Sequence, residues 1–233
     1  MFAIVVCAVT QYVLLSRIQK KEENLRMELT DLSHKTDSLR IANGQLKEAW
    51  DNTIIKIDGE YDYVFLGNSI TRNSNFQQLF PNKRILNLGL GGDDLYGIAN
   101  RAKILGKIRF QKVFVMAGIN SVERLSKQEF KESYELLLDS LLRNAKKEQI
   151  VIENMLPISK SIENVNFNNE KIGILNEDIK SICFRRDIEY VDLYHLYLQE
   201  GELPLEWTRE SDGLHIIDEQ YAIWAEAISK TND

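Results

Sequence analysis

The sequence predicts an α/β domain with a mainly parallel five-stranded sheet, preceded by an N-terminal helical stalk. Three observations lead to this prediction. Short apolar runs alternate with longer helical patterns after about residue 56, the apolar runs lack the polar alternation of half-exposed strands, and a seven-residue period precedes them. Consecutive parallel strands need crossover connections, and these cover both faces of the sheet with helices.

The N-terminal segment is the candidate membrane anchor. Residues 2–15 are mostly apolar, although this run is shorter than the ~20 residues that cross a bilayer. No basic residue precedes the run and no small-residue cleavage site ends it, so we expect an uncleaved anchor over residues 1–16 rather than a signal peptide. Arg17, Lys20 and Lys21 follow the run and would favour a cytoplasmic position for the next residues. In so short a run this signal leaves the topology open.

A heptad pattern follows the anchor. Leucine or isoleucine recurs every seventh residue, at Ile18, Leu25, Leu32, Leu39 and Leu46. The second seam position of the heptads carries Glu22, Thr36 and Asn43, so the pattern predicts at most a weak coiled coil and weak homo-oligomerisation. A single amphipathic helix explains the pattern equally well. We assign residues 17–50 to this stalk.

The region over residues 56–231 forms the predicted globular domain. Strands are predicted over residues 62–67, 84–89, 112–117, 149–155 and 189–193, and helices over residues 94–105, 127–147, 169–186 and 218–230. The clearest helix begins after Ser126, which can form a capping box with Glu129. Apolar residues then recur with a helical period. The alternation indicates repeated β-α units in a single sheet.

Composition excludes several classes of function. The net charge of −6 argues against nucleic-acid binding, which needs a basic surface to neutralise phosphates. The two cysteines provide no disulfide framework. The histidines, His34, His195 and His215, lack the close spacing of metal ligands. We therefore predict no metal site.

Ser69 is the candidate nucleophile. The apolar residues 64–66 predict a strand that is buried on both faces, and Gly67 then permits a sharp turn that ends in this serine. Ligands of open α/β sheets bind beyond the carboxyl ends of the strands, which is where Ser69 would lie. Considered by itself, a serine that caps the next helix is the simpler explanation of the stretch.

Two further stretches follow the neighbouring strands. Residues 87–93 contain three glycines before a predicted helix, and the backbone N–H groups of such a turn favour negative charge. The stretch lacks the dinucleotide-binding spacing and the Walker lysine, so nucleotide binding is not indicated. Asn120 follows the central strand, and its amide could donate hydrogen bonds at the same edge. By itself it is better explained as an asparagine in a turn.

A carboxylate and an imidazole precede the last helix. Asp212 lies three residues before His215. On a turn, this carboxylate can accept a hydrogen bond from Nδ1 of the imidazole and leave Nε2 free to take a proton from a serine. Ser69 would supply the nucleophile, and the glycine-rich turn and Asn120 would donate hydrogen bonds to the oxyanion. Together with Asp212 and His215, these groups meet the requirements of acyl transfer.

These stretches resemble the SGNH, or GDSL-type, hydrolase family. The four family blocks are matched in order by Gly67-Asn68-Ser69, Gly92, Gly118-Ile119-Asn120 and Asp212-Gly213-Leu214-His215. The resemblance covers about residues 60–230. It implies a three-layer α/β/α flavodoxin-like sandwich and serine-dependent hydrolysis of esters without a cofactor.

The resemblance also implies roles for individual residues. Ser69 would attack the carbonyl carbon, His215 would act as the base, and Asp212 would orient it. The oxyanion hole would comprise the N–H groups of Ser69 and Gly92 and the side chain of Asn120.

Two residues depart from the family pattern. Asn68 replaces the usual aspartate before the serine, and Ser121 replaces an aspartate often found after the third block. Neither change removes a catalytic group, so they bear on substrate class and local rigidity. Asn68 and Asp93 are the candidate substrate-binding residues, because they adjoin the nucleophile and the glycine-rich turn.

Residues 152–157 and 207–215 resemble the acetylesterase and platelet-activating-factor acetylhydrolase-like branch of the family. This resemblance implies a preference for short acyl groups, a small-molecule or carbohydrate ester as substrate, and an extracytoplasmic domain. The mostly polar chain between Ser69 and Gly92 also predicts an acetyl or butyryl preference. A lysophospholipase or thioesterase, an O-acyltransferase that uses the same serine, and an anchored non-catalytic interaction module stay open as alternatives.

Overall fold

The computed structural model describes residues 59–231, together with Lys20 and Lys21, which are helical. The predicted anchor and all of the predicted stalk except these two lysines lie outside the described residues, so both stay predictions. Among the residues that the structure describes, no helix is both long enough and apolar enough to cross a membrane.

Five parallel strands form one sheet, as the sequence predicts. They are β1 (Glu60–Gly67), β2 (Ile85–Gly89), β3 (Arg109–Met116), β4 (Ile150–Glu153) and β5 (Glu189–Val191). Their order across the sheet is β2-β1-β3-β4-β5, and every neighbouring pair is parallel. The first two crossovers therefore place β2 and β3 on opposite sides of β1.

Within residues 59–231, seven α-helices connect or follow the strands. They are α1 (Ser69–Arg72), α2 (Phe76–Leu79), α3 (Leu95–Arg101), α4 (Lys127–Asn144), α5 (Asn169–Arg186), α6 (Tyr194–Tyr197) and α7 (Tyr221–Ile228). Short 3-10 segments lie at Ala102–Lys107, Ile119–Ser121, Lys147–Gln149, Lys160–Ile162, Leu205–Trp207, Arg209–Ser211 and Asp218–Gln220. The one-turn helices α1, α2 and α6 are not predicted from the sequence, because a single turn is too short to show a helical period.

The core lies on both faces of the sheet. In β1, Val64, Phe65 and Leu66 are each 0% exposed, which requires cover on either side. Phe65 stacks on Phe76 of α2, and Phe76 meets Trp224 of α7 edge to face. Helices α3, α4 and α5 pack in succession as the second helical group. The result is the predicted α/β sandwich.

The end of β4 corrects one predicted boundary. The apolar run predicts a strand over residues 149–155, but β4 ends at Glu153. The side-chain oxygen of Asn154 accepts hydrogen bonds from the backbone N–H groups of Leu193 and Tyr194, at 2.7 and 2.8 Å. This asparagine joins the ends of β4 and β5 through its side chain, so the backbone leaves the sheet there.

Candidate active site

The sheet order brings four distant segments to one edge. Ser69, the turn over residues 90–93, and Asn120 follow β1, β2 and β3, which are neighbours in the sheet. The carboxyl ends of parallel strands share one edge, where α/β proteins bind ligands. The segment with Asp212 and His215 reaches the same place from the loop between α6 and α7.

Ser69 is the first residue of α1, and its position depends on close packing around the preceding turn. Asn68 caps the helix, because its side-chain oxygen accepts a hydrogen bond from the N–H of Ile70 at 2.9 Å. A Cβ on Gly67 would lie 2.1 Å from Oγ1 of Thr71 and 2.7 Å from the carbonyl oxygen of Met116. Only glycine fits there, so the strand can pass directly into the turn that presents the serine.

Ser69, His215 and Asp212 form a chain of hydrogen bonds. Nε2 of His215 lies 2.8 Å from Oγ of Ser69, and Nδ1 of His215 lies 2.6 Å from Oδ2 of Asp212. An ionised carboxylate can only accept, so Nδ1 donates to Asp212 and neutral Nε2 is left to accept the serine proton. Ser69 and His215 are separated by 146 positions in the sequence but meet at this edge.

Backbone groups of its own turn hold Asp212 in place. Its Oδ1 accepts hydrogen bonds from the N–H groups of Leu214 and His215, at 2.9 and 2.8 Å. Partial burial of this carboxyl raises its pKa, but these hydrogen bonds and the His215 ring together outweigh burial and lower the pKa below its ordinary value. Asp212 therefore stays ionised while His215 changes its protonation state.

The glycine-rich turn over residues 90–93 lies against the end of β1. The N–H of Leu90 donates to the carbonyl of Gly67 at 3.0 Å, and the N–H of Asp93 closes the turn on the carbonyl of Leu90 at 3.2 Å. Gly92 has φ +71°, a conformation that favours glycine, and it is exposed. Within the described part of the chain, the N–H of Gly92 makes no hydrogen bond, so it is open to a ligand.

Asn120 is tied to the same turn. Its Nδ2 donates to the carbonyl oxygen of Asp93 at 2.8 Å, and the residue is partly exposed. An amide nitrogen carries two hydrogens, so the second N–H of Asn120 is left for a ligand. The hydrogen bond thus holds Asn120 against the same turn that carries the N–H of Gly92.

The structure corrects the two candidate substrate-binding residues. Asn68 and Asp93 are each 0% exposed, so neither offers surface to a substrate. Asn68 points inward to cap α1, and Asp93 forms a buried ion pair with Arg101 at 2.7 Å. Arg101 also donates to the carbonyl oxygens of Leu88 and Gly67, which end β2 and β1. Both side chains make their contacts within the protein, at the turns that carry Ser69 and Gly92.

Arg101 is a positioning residue that sequence reasoning missed. It lies on the apolar face of α3, in register with Leu95 and Ile98, and is 2% exposed. A cation on the buried face of a helix needs a partner, which was the signal in the sequence. Ser121, the second departure from the family pattern, accepts a hydrogen bond from the N–H of Leu95 at 3.2 Å and so satisfies the first turn of the same helix.

A second aspartate–histidine pair shows that spacing alone does not define the base. Asp192 and His195 repeat the separation of three residues, and Nδ1 of His195 lies 2.7 Å from Oδ2 of Asp192. The side chain of His195 is 64% exposed, and no hydrogen bond joins it to Ser69. Within residues 59–231, no group of three or more His, Cys, Asp or Glu side chains is arranged to hold a metal ion.

Comparisons with known proteins bear on the family and the fold. Residues 65–223 match the model of the GDSL-like Lipase/Acylhydrolase family. Among solved structures, a candidate platelet activating factor protein from Streptococcus pneumonia has a TM-score of 0.73 and 20% identity, covering 86% of this chain and 97% of that one. A GDSL-like lipase from Bacteroides thetaiotaomicron has a TM-score of 0.59 and 21% identity, covering 72% and 86%.

An acetyl xylan esterase is similar in fold as well, with a TM-score of 0.59, 17% identity, and coverage of 74% of this chain and 98% of that one. No curated protein sequence matches the chain. At these identities the solved structures establish the fold, while the matched family segment spans well over half of the sequence. The chain therefore belongs to the GDSL-like lipase/acylhydrolase family, and it is a serine ester hydrolase.

Proposed function

We propose that this enzyme removes short acyl groups, above all O-acetyl groups from carbohydrate, through an acyl-enzyme on Ser69. The observation that supports the mechanism is the chain of hydrogen bonds from Ser69 through His215 to Asp212, at 2.8 and 2.6 Å. In this arrangement a nucleophile, a base and an orienting acid lie within direct reach of one another.

In the first half of the reaction, Oγ of Ser69 attacks the carbonyl carbon of the ester while Nε2 of His215 takes the hydroxyl proton. Asp212 stabilises the imidazolium that forms. The negative charge on the carbonyl oxygen is met by the N–H groups of Ser69 and Gly92 and by Nδ2 of Asn120. His215 then protonates the leaving alcohol, and the acyl group stays on Ser69.

In the second half, water replaces the alcohol. His215 removes a proton from the water as its oxygen attacks the acyl carbon, and the same donors meet the charge again. The proton returns to Oγ of Ser69, and the carboxylic acid leaves. No step needs a metal ion or a cofactor.

The short-acyl preference is supported by the surroundings of the site. One cavity, of about 670 Å³, adjoins the loop that carries His215, and serine, glutamine and glutamate side chains line it beside Pro204, Leu205 and Trp207. Each buried methylene contributes about 0.8 kcal/mol only when it leaves water for an apolar surface. A long acyl chain would meet polar groups here.

The N-terminal predictions extend this proposal to the location of the enzyme. The anchor over residues 1–16 would hold the chain at a membrane, and the stalk over residues 17–50 would separate the catalytic domain from it. The family resemblance supports an extracytoplasmic domain. Membrane pelleting of the full chain, and its loss in a fragment that starts at residue 55, would test this placement.

A series of p-nitrophenyl esters tests the acyl preference. For the domain starting at residue 55, we expect kcat/KM to peak at acetyl or butyryl and to fall with longer chains. A kcat/KM that rises through octanoyl would replace this assignment with a lysophospholipase or thioesterase function.

Variants of the two histidines test the mechanism. Ser69→Ala and His215→Ala should each lower turnover by roughly three or more orders of magnitude while the fold is kept. His195→Ala is the matched control, because it removes a histidine with the same contact to an aspartate but no link to Ser69. It should keep full activity. Retained activity in Ser69→Ala, or equal losses in the two histidine variants, would overturn the mechanism.

A further inference from the structure

A cavity beside the catalytic loop is not used by the mechanism above. It has a volume of about 670 Å³ and lies between the segment around Ser159 and Ser161 and the segment from Gln199 to Trp207. Ligand-binding pockets commonly measure ~300–1,000 Å³. The cavity is therefore large enough to hold more than the acyl group of a small ester.

The polar side of the cavity is held by hydrogen bonds. The hydroxyl of Ser161 donates to Oγ of Ser159 at 3.2 Å, and Ser159 donates to Oε2 of Glu202 at 3.2 Å. The N–H of Lys160 also donates to that carboxylate oxygen, at 2.8 Å. Ser159 is itself only 2% exposed. These groups are positioned before any ligand arrives, which lowers the entropic cost of binding.

The lining combines one aromatic ring with hydrogen-bond acceptors. Trp207 is partly exposed and faces a cavity that Glu206 and Glu202 also line. The flat apolar face of a sugar ring packs on an indole, while sugar hydroxyls donate to carboxylate oxygens. An alkyl chain would leave those polar groups without water or a partner. The three lining carboxylates, of Glu200, Glu202 and Glu206, outnumber the one ammonium beside them, that of Lys160 at 3.9 Å from Glu202, so an anionic ligand would be repelled.

The cavity is connected to the catalytic loop at two points. The N–H of Ser159 donates to the carbonyl of Gly213 at 2.9 Å, between Asp212 and His215. The carbonyl of Trp207 accepts a hydrogen bond from the N–H of Ile217 at 2.9 Å, just beyond the catalytic histidine. The segment that carries the base is thus hydrogen-bonded to two of the residues that line the cavity.

We propose that this cavity binds a neutral sugar ring of the substrate, next to the sugar whose ester is cleaved at Ser69. Trp207 packs against the ring, and Glu206 accepts hydrogen bonds from its hydroxyls. The proposal rests on the esterase function proposed above and names its substrate class as a neutral oligosaccharide. Oligosaccharides rich in uronic acids are excluded from the cavity by charge.

Paired substrates test the proposal. The wild-type domain and the variants Trp207→Ala and Glu206→Gln are assayed with p-nitrophenyl acetate and with an O-acetylated xylo-oligosaccharide. Trp207→Ala should raise KM for the oligosaccharide about tenfold, as expected for the loss of one stacked ring. It should leave kcat/KM for p-nitrophenyl acetate unchanged. Glu206→Gln should show a smaller effect in the same direction.

The outcomes separate the cavity from the reaction itself. Wild-type inactivity on both substrates would refute the proposed function. Activity on p-nitrophenyl acetate with no change for the oligosaccharide in Trp207→Ala would overturn the sugar site alone. An equal loss on both substrates would show that Trp207 supports the fold of the loop, and would also overturn it. Faster turnover of an acetylated oligogalacturonate than of the neutral oligosaccharide would refute the charge argument.

Discussion

Glu153 should make the stability of this enzyme fall as the pH rises, and Glu153→Gln should remove that dependence. The residue ends β4, is 1% exposed, and accepts a hydrogen bond from the indole N–H of Trp224. Burial raises the pKa of this carboxyl from 4.5 to about 8, although the Trp224 hydrogen bond opposes the rise. At neutral pH the folded protein therefore holds a proton that the unfolded chain has lost.

The magnitude follows from these two pKa values. Below the unfolded value the carboxyl is protonated in both states, and its contribution to stability is fully present. As the pH rises from 4.5 toward about 8, unfolding releases a proton, so the free energy of unfolding falls by up to ~1.4 kcal/mol per pH unit. Between about pH 5 and about pH 8 the loss from this one group should be about 3 kcal/mol.

Urea denaturation of the wild type and of Glu153→Gln across this pH range measures the effect. The glutamine keeps an oxygen that can accept from Trp224, and it does not titrate. Groups that titrate elsewhere in the domain affect both proteins equally, so the difference between the two free energies isolates position 153. We expect the variant to gain about 3 kcal/mol relative to the wild type on going from about pH 5 to about pH 8. Two curves that stay parallel would refute a raised pKa at this site.

Three further perturbations test other parts of the structure. Gly89→Ala should destabilise the domain by roughly 1–3 kcal/mol and abolish turnover. The reason is that a Cβ there would lie 2.2 Å from a backbone nitrogen of α1, so an active, stable variant would contradict this close packing. Arg101→Met should lower the free energy of unfolding by roughly 3–5 kcal/mol, because buried Asp93 loses its guanidinium partner. Adding Asp93→Leu should recover part of that loss in urea denaturation, and a double variant less stable than the single one would argue against the pairing. In sedimentation, a fragment over residues 17–233 should associate weakly and one over residues 55–233 should be monomeric, so identical states of association would exclude a coiled coil.

The strands and the main site residues could be predicted because each depends on local pattern. Five apolar runs end in glycine or polar residues, and a parallel sheet collects such ends at one edge. That is why Ser69, the glycine-rich turn and Asn120 could be placed together without a structure. Asp212 and His215 follow no strand, and they are linked to this edge by the requirements of acyl transfer and by the family resemblance. The sequence pattern does not predict which way a side chain beside such a site points. Asp93 turns inward because Arg101, eight residues later, meets it on the buried face of the next helix.

Other features depend on tertiary position alone. The Asp192–His195 pair has the same sequence spacing as Asp212 and His215, so only the fold shows which histidine reaches the serine. The sugar cavity is assembled from two segments about 40 positions apart, joined by the contact between Lys160 and Glu202. No local period or motif marks such a contact.

The self-contained turn of Asp212 and His215 has a consequence for how enzymes of this design can diversify. The acid is oriented by the N–H groups of Leu214 and His215, so the acid and the base move together as one cassette. Insertions or deletions in the preceding chain, over residues 198–207, would leave the internal geometry of that cassette unchanged. The same chain forms one wall of the cavity beside the site. Evolution can therefore change residues 198–207, which contact the leaving group in the proposed function, without changing the residues that transfer the proton. The condition is that the cassette keeps its hydrogen bond to Ser69.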